Sequence, residues 1–224
     1  MSKEKLQSPE DFFKKHKIGF DHDGVIANTR TPVVDEYNRI FRTNHTVDEM
    51  REYRTLARWA EEDFGISKKA ALEIDNYLWF KRPDILLRAR PMPGAVEITK
   101  QLADRKIFFP IITSRLPSYR QSTFEWYEEK MPWIKRDQII IRENDKMKGE
   151  IFKARMIGLL GVNAFFEDAL HHAEVIINHT DALVILLNND SALDDFIGDK
   201  MIRIVGDNNQ PPTLHDAQNT LFRA

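Results

Sequence analysis

The stretch Lys17-Ile18-Gly19-Phe20-Asp21-His22-Asp23-Gly24-Val25-Ile26 decides the reading of this chain. A short apolar run delivers two aspartates, one residue apart, into a glycine turn. The run predicts a strand over about Ile18 to Asp21. If that strand is buried in a sheet, its C-terminal end presents both carboxylates in the crevice where open α/β sheets bind ligands. Like charges this close repel, and neither is cheaply buried. A site that keeps both has a cation between them or gives them different protonation states. The plainer alternative is an ordinary surface turn after a strand.

A chain of 224 residues suffices for one substantial domain, or a domain with a smaller insertion. Hydrophobic content of 42% and charged content of 30% are those of an ordinary globular protein. A net charge of −2 argues against general nucleic-acid affinity. The chain has no cysteine, so disulfides, thiol catalysis and cysteine-ligated zinc are excluded. No apolar stretch reaches the ~18 residues of a membrane span. Residues 1–7 lack an apolar signal core, so the expectation is a cytoplasmic protein without membrane contact.

Ser8 and Pro9 mark a helix start, as N-cap and first helical residue. From about Asn28 to Arg90, apolar residues recur at helical spacing: Val33, Val34, Tyr37, Ile40 and Phe41; Leu56, Trp59, Ala60 and Phe64; Ala70, Leu72, Ile74, Tyr77 and Leu78. This predicts a helical insertion over 28–90 with its own small core, closed by Pro91-Met92-Pro93-Gly94. Helix and strand then alternate. Strands are predicted at Ile107 to Ile112, Gln138 to Arg142, Ala164 to Phe166, Ala182 to Leu187 and Met201 to Val205. Helices are predicted at Ala95 to Asp104, Ser118 to Lys130, Lys148 to Leu160 and Ala169 to Asn178. Repeated βα units imply an α/β fold, a parallel sheet covered by helices. The polar tail from Gly206 is expected to be loose.

Three further segments place chemistry-bearing residues at strand ends or helix starts. Ile107-Phe108-Phe109-Pro110-Ile111-Ile112-Thr113-Ser114-Arg115 ends an apolar strand in a hydroxyl residue, though Pro110 is awkward inside a central strand. Asp145-Lys146-Met147-Lys148-Gly149-Glu150-Ile151-Phe152 sets lysines at a helix entry. Gly161-Val162-Asn163-Ala164-Phe165-Phe166-Glu167-Asp168 ends a strand in an acidic pair. His171 and His172 follow, and read as partly exposed polar residues of a first helical turn.

In order and placement the four segments resemble the motifs of the haloacid dehalogenase-like superfamily. The resemblance spans about Lys17 to Leu187. It implies a Rossmann-like core from residues 1–27 and 91–224, with an α-helical cap at 28–90 that closes over the site and chooses the substrate. It implies that Asp21 attacks phosphorus and forms an aspartyl-phosphate. Asp23 would protonate the leaving oxygen and then act as base on water, which requires its pKa to lie above that of Asp21. Thr113, Ser114 and Arg115 would hold the phosphoryl group. Lys148 would neutralise it, with Lys146 and Lys153 as rivals. Asp21, Asp168 and the backbone carbonyl of Asp23 would cage Mg²⁺, with Glu167 holding a metal-bound water or standing behind the ligands. His22, where an apolar residue is commoner, and Ala169 depart from the pattern.

The implied activity is Mg²⁺-dependent hydrolysis of a small phosphomonoester. Thr113-Ser114-Arg115-Leu116-Pro117, followed by Thr123 and Trp126 in a Thr-x-x-Trp helix, looks like the deoxyribonucleotidase branch, which favours a nucleoside monophosphate. The same turn and helix also resemble the 3′-phosphatase domain of polynucleotide kinases. A phosphomutase and a non-catalytic binding protein share the same frame. Arg30, Arg51, Arg54, Arg58, Arg82, Arg88 and Arg90 are candidate anion binders in the insertion, and Tyr37, Tyr53, Trp59 and Trp79 candidate aromatic contacts. The plainer role for most of them is solvation and core packing.

Overall fold

A computed structural model of the chain describes residues 9–50, 54–188, 199–206 and 212–222. The decisive run forms β1 (Ile18–Phe20), buried throughout. It lies inside a six-stranded sheet with β4 (Ile111–Thr113), β5 (Ile139–Ile141), β6 (Ala164–Glu167), β7 (Leu183–Leu187) and β8 (Met201–Ile204), in the order β5-β4-β1-β6-β7-β8. Every pairing is parallel. The register sets Phe20 beside Ile111 on one side and Phe166 on the other. Because β1 is central, the chain winds one way to β4 and β5, then the other way to β6, β7 and β8. This reversal opens a crevice at the carboxyl ends of β1, β4 and β6.

The helices that connect the strands are α6 (Ala95–Asp104), α7 (Arg120–Lys130), α8 (Gly149–Leu160) and α9 (Leu170–His179). Helix α8 packs on α9 and β4, and Phe152, Ile157, Phe165, Ala173, Ile176, Val184 and Leu186 fill the core between them. Another apolar cluster surrounds Phe20, whose ring stacks on Phe166 at 5.0 Å and meets Phe109 edge-on at 5.9 Å. Pro110 precedes β4 rather than interrupting it. Its carbonyl still takes part in the pairing with β1, accepting from the Phe20 N–H at 3.0 Å.

Phe12 and Phe13 of α1 (Pro9–Lys15) are buried, and Ser8 lies outside the described residues. The described part of the tail differs from the expectation of loose structure, and residues 207–211 and 223–224 lie outside the described residues. Residues 214–222 form α10 (Leu214–Phe222), which packs on α1, α6, β7 and β8. Thr213 and Asp216 cap its start reciprocally, the Thr213 N–H donating to Asp216 Oδ2 at 2.7 Å and the Asp216 N–H to Thr213 Oγ1 at 3.4 Å. Among the described residues no helix is long and apolar enough to cross a membrane.

The contacts divide the chain into two compact units, residues 1–27 with 91–224, and residues 28–90. The second contains α2 (Arg30–Phe41), α3 (Thr55–Phe64), α4 (Lys68–Phe80) and α5 (Pro83–Leu87). At its boundary, β2 (Ala27–Asn28) and β3 (Arg90–Pro91) pair as a short ribbon. Val33, Val34, Tyr37, Leu56, Trp59, Leu78, Ile85 and Leu86 form its buried core. Helix α4 is turned from the predicted stripe: Ala71, Asp75 and Leu78 face inward, while Tyr77 is exposed. The reason is electrostatic. Arg54 binds Asp75 and Asn76, drawing a carboxylate into the face that periodicity assigned to Ile74.

Candidate active site

The parallel sheet brings the four sequence segments to one edge. Asp21 follows β1, Thr113 ends β4, and Glu167 and Asp168 lie at the end of β6. The Asp21 N–H donates to the Phe166 carbonyl at 2.9 Å, fixing the first aspartate beside the acidic pair. Carboxylate oxygens of Asp21, Glu167 and Asp168 lie within 4.8 Å of one another. Gly24 makes room for this with φ near 77°; a Cβ there would overlap the Asp168 carboxylate. Gly149, the first residue of α8, does the same beside β4, since its Cβ would approach Ser114 Cβ at 2.6 Å.

The lysine beside Asp21 is Lys153. Its buried ammonium lies 2.9 Å from Asp21 Oδ2 and 2.7 Å from Glu167 Oε2. Lys148, the sequence preference, sits exposed at the N-cap of α8, and Lys146 is exposed in the preceding loop. The helix phase decides this. Lys153 shares the buried stripe of α8 with Phe152, Ala154 and Ile157, and a helical side chain leans toward the N-terminus, here toward the strand ends.

Glu167 is fully engaged. Its Oε2 accepts from Lys153, and its Oε1 from the Asp168 and Ala169 N–H groups at 3.2 Å each. It therefore holds the lysine and the acidic turn. Burial pushes its carboxyl up, but the Lys153 charge holds it far below the usual range. Asp21 goes the other way. Burial pushes it well above the usual carboxylate range, Lys153 opposes, and Glu167, Asp23 and Asp168 add to the rise. The contrast follows from donors: Asp21 Oδ1 is buried without a hydrogen-bond partner. Burial also works against the Lys153 cation, but Asp21 and Glu167 outweigh it and raise its pKa.

Arg115 reaches Asp23 rather than standing free for a substrate. Its Nε and Nη2 donate to the two Asp23 oxygens at 3.1 and 2.8 Å, and its Nη1 to Thr123 Oγ1 at 3.0 Å. Its backbone N–H donates to Thr113 Oγ1 at 3.3 Å. Thr123 in turn donates to the Tyr119 carbonyl, so α7 clamps the arginine. Burial raises the Asp23 carboxyl, yet Arg115 more than offsets it and holds the group at about 2. The order of the two aspartates is thus the reverse of the one expected from sequence. That expectation considered the acid role of Asp23 without its arginine.

His22 is fully buried, its Nδ1 2.7 Å from the Tyr127 hydroxyl and its ring edge-on to Trp126 at 5.1 Å. Burial, then the Arg115 charge, lower it to about 3, so it is neutral and packs against α7. His172 is partly buried in the first turn of α9, close to the partly exposed position that the sequence suggested, but it has a partner there. Its side chain is 13% exposed and its Nδ1 lies 3.0 Å from Lys153 Nζ.

Among the described residues, four carboxylates, Asp21, Asp23, Glu167 and Asp168, face two cations, Lys153 and Arg115. The excess negative charge, the convergent oxygens and the unpartnered Asp21 Oδ1 together fit a hard divalent cation. In the helical unit, by contrast, Arg54, Arg58, Arg82 and Arg88 each bind a carboxylate of the same unit, and Tyr37 and Trp59 lie in its core. Arg51 and Tyr53 lie outside the described residues.

The family model described as 5′ nucleotidase, deoxy (pyrimidine), cytosolic type C protein matches residues 15–155. Solved structures with the same fold include a family IA, variant 3 HAD hydrolase from Entamoeba histolytica (19% identity, TM-score 0.55, covering 92% of this chain and 99% of that one). A haloacid dehalogenase-like hydrolase from Bacteroides fragilis matches at 16% identity and TM-score 0.60, over 87% and 99% of the two chains. One from Streptococcus pneumoniae matches at 11% and 0.55, over 84% and 93%. No curated protein matches the chain.

Proposed function

The chain belongs to the deoxy (pyrimidine) 5′ nucleotidase type C family of haloacid dehalogenase-like phosphoric monoester hydrolases, and from this we propose that it hydrolyses a nucleoside 5′-monophosphate through an aspartyl-phosphate. The observation that carries the proposal is Asp21: a buried carboxylate at the end of the central strand, paired with a buried lysine and left with one oxygen unpartnered.

In this scheme the phosphate enters between Asp21 and the end of β4. Asp21 attacks phosphorus and the ester oxygen leaves. Lys153 stays paired with Glu167 and lends its charge to the phosphoryl oxygens. The Thr113 hydroxyl and the backbone N–H groups after it donate to the same oxygens. Asp23 protonates the leaving oxygen and later takes a proton from the attacking water. Because Arg115 holds Asp23 ionised at about 2, the acid role requires that pair to loosen when the ester binds. Mg²⁺ would be held by Asp21, Asp168 and the Asp23 carbonyl, where its charge offsets the repulsion between carboxylate and phosphate. Residues 28–90 would serve as the cap that selects the nucleoside.

The test is phosphate release from a panel of nucleoside 5′- and 3′-monophosphates and sugar phosphates, with Mg²⁺ and with EDTA. Metal-dependent release concentrated on 5′-monophosphates is the expected result. Release from 3′-phosphates alone, or undiminished release in EDTA, would overturn the substrate or the metal assignment respectively.

A further inference from the structure

We propose that His172 is a positioning residue for Lys153, the third acceptor that fixes its ammonium toward Asp21. This inference rests on the phosphatase scheme for its catalytic meaning but stands on geometry of its own. An ammonium has three N–H donors and no acceptor. Among the described residues, three acceptor atoms lie at hydrogen-bond distance from Lys153 Nζ: Asp21 Oδ2 at 2.9 Å, Glu167 Oε2 at 2.7 Å and His172 Nδ1 at 3.0 Å. Donors and acceptors match in number, so rotation about the Cε–Nζ bond is arrested. Since the ammonium only donates, Nδ1 is the accepting nitrogen and the ring proton sits on Nε2.

The placement of His172 is itself built. Its N–H donates to the Ala169 carbonyl at 3.1 Å in the first turn of α9, and its ring lies 4.3 Å from that of His171. The same turn is anchored by Glu167 Oε1, which accepts from the Ala169 N–H. Glu167 therefore binds both the lysine and the turn that carries the lysine's third acceptor. Without His172, one N–H of a fully buried ammonium loses its partner. It would then compete for the two carboxylates, drawing Nζ toward them and away from the position that the third acceptor fixes. Small misplacements of a charged group are expensive in rate, because electrostatic stabilisation in a dry site depends on fixed geometry.

Two substitutions separate the acceptor from the ring. His172→Leu keeps bulk and removes the acceptor. His172→Asn returns a carbonyl oxygen close to where Nδ1 stood. In the full chain, the ¹⁵Nζ–proton correlation of Lys153 is recorded by NMR and assigned with Lys153→Arg. Its hydrogen exchange is then compared across variants whose backbone spectra show an intact fold. Slow exchange in wild type and His172→Asn, with exchange faster by about tenfold or more in His172→Leu, is expected. Where the panel above shows phosphate release, kcat should fall about tenfold in His172→Leu with KM within about twofold, and recover in His172→Asn. Equal exchange and equal kcat in wild type and His172→Leu would overturn the proposal, as would equal impairment of the Leu and Asn variants. If no substrate is turned over, the phosphatase scheme fails while the exchange measurement still decides the role of His172.

Discussion

Asp21 and Glu36 are both buried carboxylates, 4% and 2% exposed, yet their surroundings drive them in opposite directions. Glu36, on α2 of the helical unit, is held at about 2: Arg39 contributes most, burial opposes, and Arg88 and Arg82 add to the fall. Asp21 rises well above the usual range, because burial outweighs its single lysine and three acids surround it. Glu36 accepts from guanidinium groups on both oxygens, whereas Asp21 leaves Oδ1 bare. Burial is common to both, and the supply of donors separates them. A carboxylate whose donors are complete ties helices together. One whose donors are incomplete has room for a further ligand, and the fold bears the cost of keeping it.

Exchanging the two charges for amides should give opposite results. Asp21→Asn is expected to cut turnover by at least ~10³-fold while leaving stability within about 1 kcal/mol, because it removes an unfavourably buried charge and leaves Lys153 paired with Glu167. Glu36→Gln is expected to leave turnover within about twofold and to lower stability by about 2 kcal/mol. The cost stays below that of a fully buried pair because Arg39 and Arg88 are half exposed or more. Turnover assays and chemical denaturation on the two variants suffice. A stability loss in Asp21→Asn as large as in Glu36→Gln would erase the distinction.

The lysines sharpen it further. Lys153→Met strands Asp21 and Glu167 as two buried anions and should cost about 3 to 5 kcal/mol, with turnover lost even where the fold survives. Lys148→Met, at an exposed N-cap, should change stability by less than about 0.5 kcal/mol. If the Lys148 variant were instead the damaged one, the assignment of Lys153 to the site would be wrong.

Sequence reasoning reached the sheet because its signals were local: a three-residue apolar run before Asp21, another before Glu167, and turns between them. Apolar runs at this spacing leave few parallel topologies. It stopped short at Lys153 because three lysines fall within eight residues, and choosing among them needs the phase of α8 to within one residue. The signal existed, since Lys153 lies four residues before Ile157 on the apolar stripe. His172 and the Arg115–Asp23 pair were out of reach for a different reason: each depends on a partner 19 or 92 residues away. Helix α10 was legible in principle, as Thr213-Leu214-His215-Asp216 has the spacing of a capping box, but the Asn- and Pro-rich run before it suggested a loose tail.

Asp23 tests the chemical half of the contrast. Asp23→Asn should slow hydrolysis of esters with poor leaving groups by about 10²-fold or more and spare activated aryl phosphates, which need no acid. It also frees Arg115 from its carboxylate, so a loss equal for both classes of ester would assign the pair to structure and remove the acid role.

The smallest effect lies in the pH response of the helical unit. Glu36 has its folded pKa at about 2 against an ordinary 4.5, so its contribution is complete above pH 4.5 and is lost as pH falls toward 2. His45 has the opposite sign. Burial lowers it, but hydrogen bonds to Asp63 and Glu49 prevail and raise its pKa above 6.5, while its ring stacks on Trp59 at 4.1 Å. Its contribution is complete below pH 6.5 and disappears as pH rises through the folded value. The contributions of these two groups are therefore both complete between pH 4.5 and 6.5. The alkaline loss should stay within about 1 kcal/mol, since Glu49 is well solvated. Following the His45 ring protons by NMR alongside thermal melts measures both quantities. In His45→Gln the alkaline loss should vanish while the acid loss remains, because Glu36 and its arginines are untouched. If the alkaline loss persisted in that variant, the rise in the His45 pKa would not be the source of the pH response.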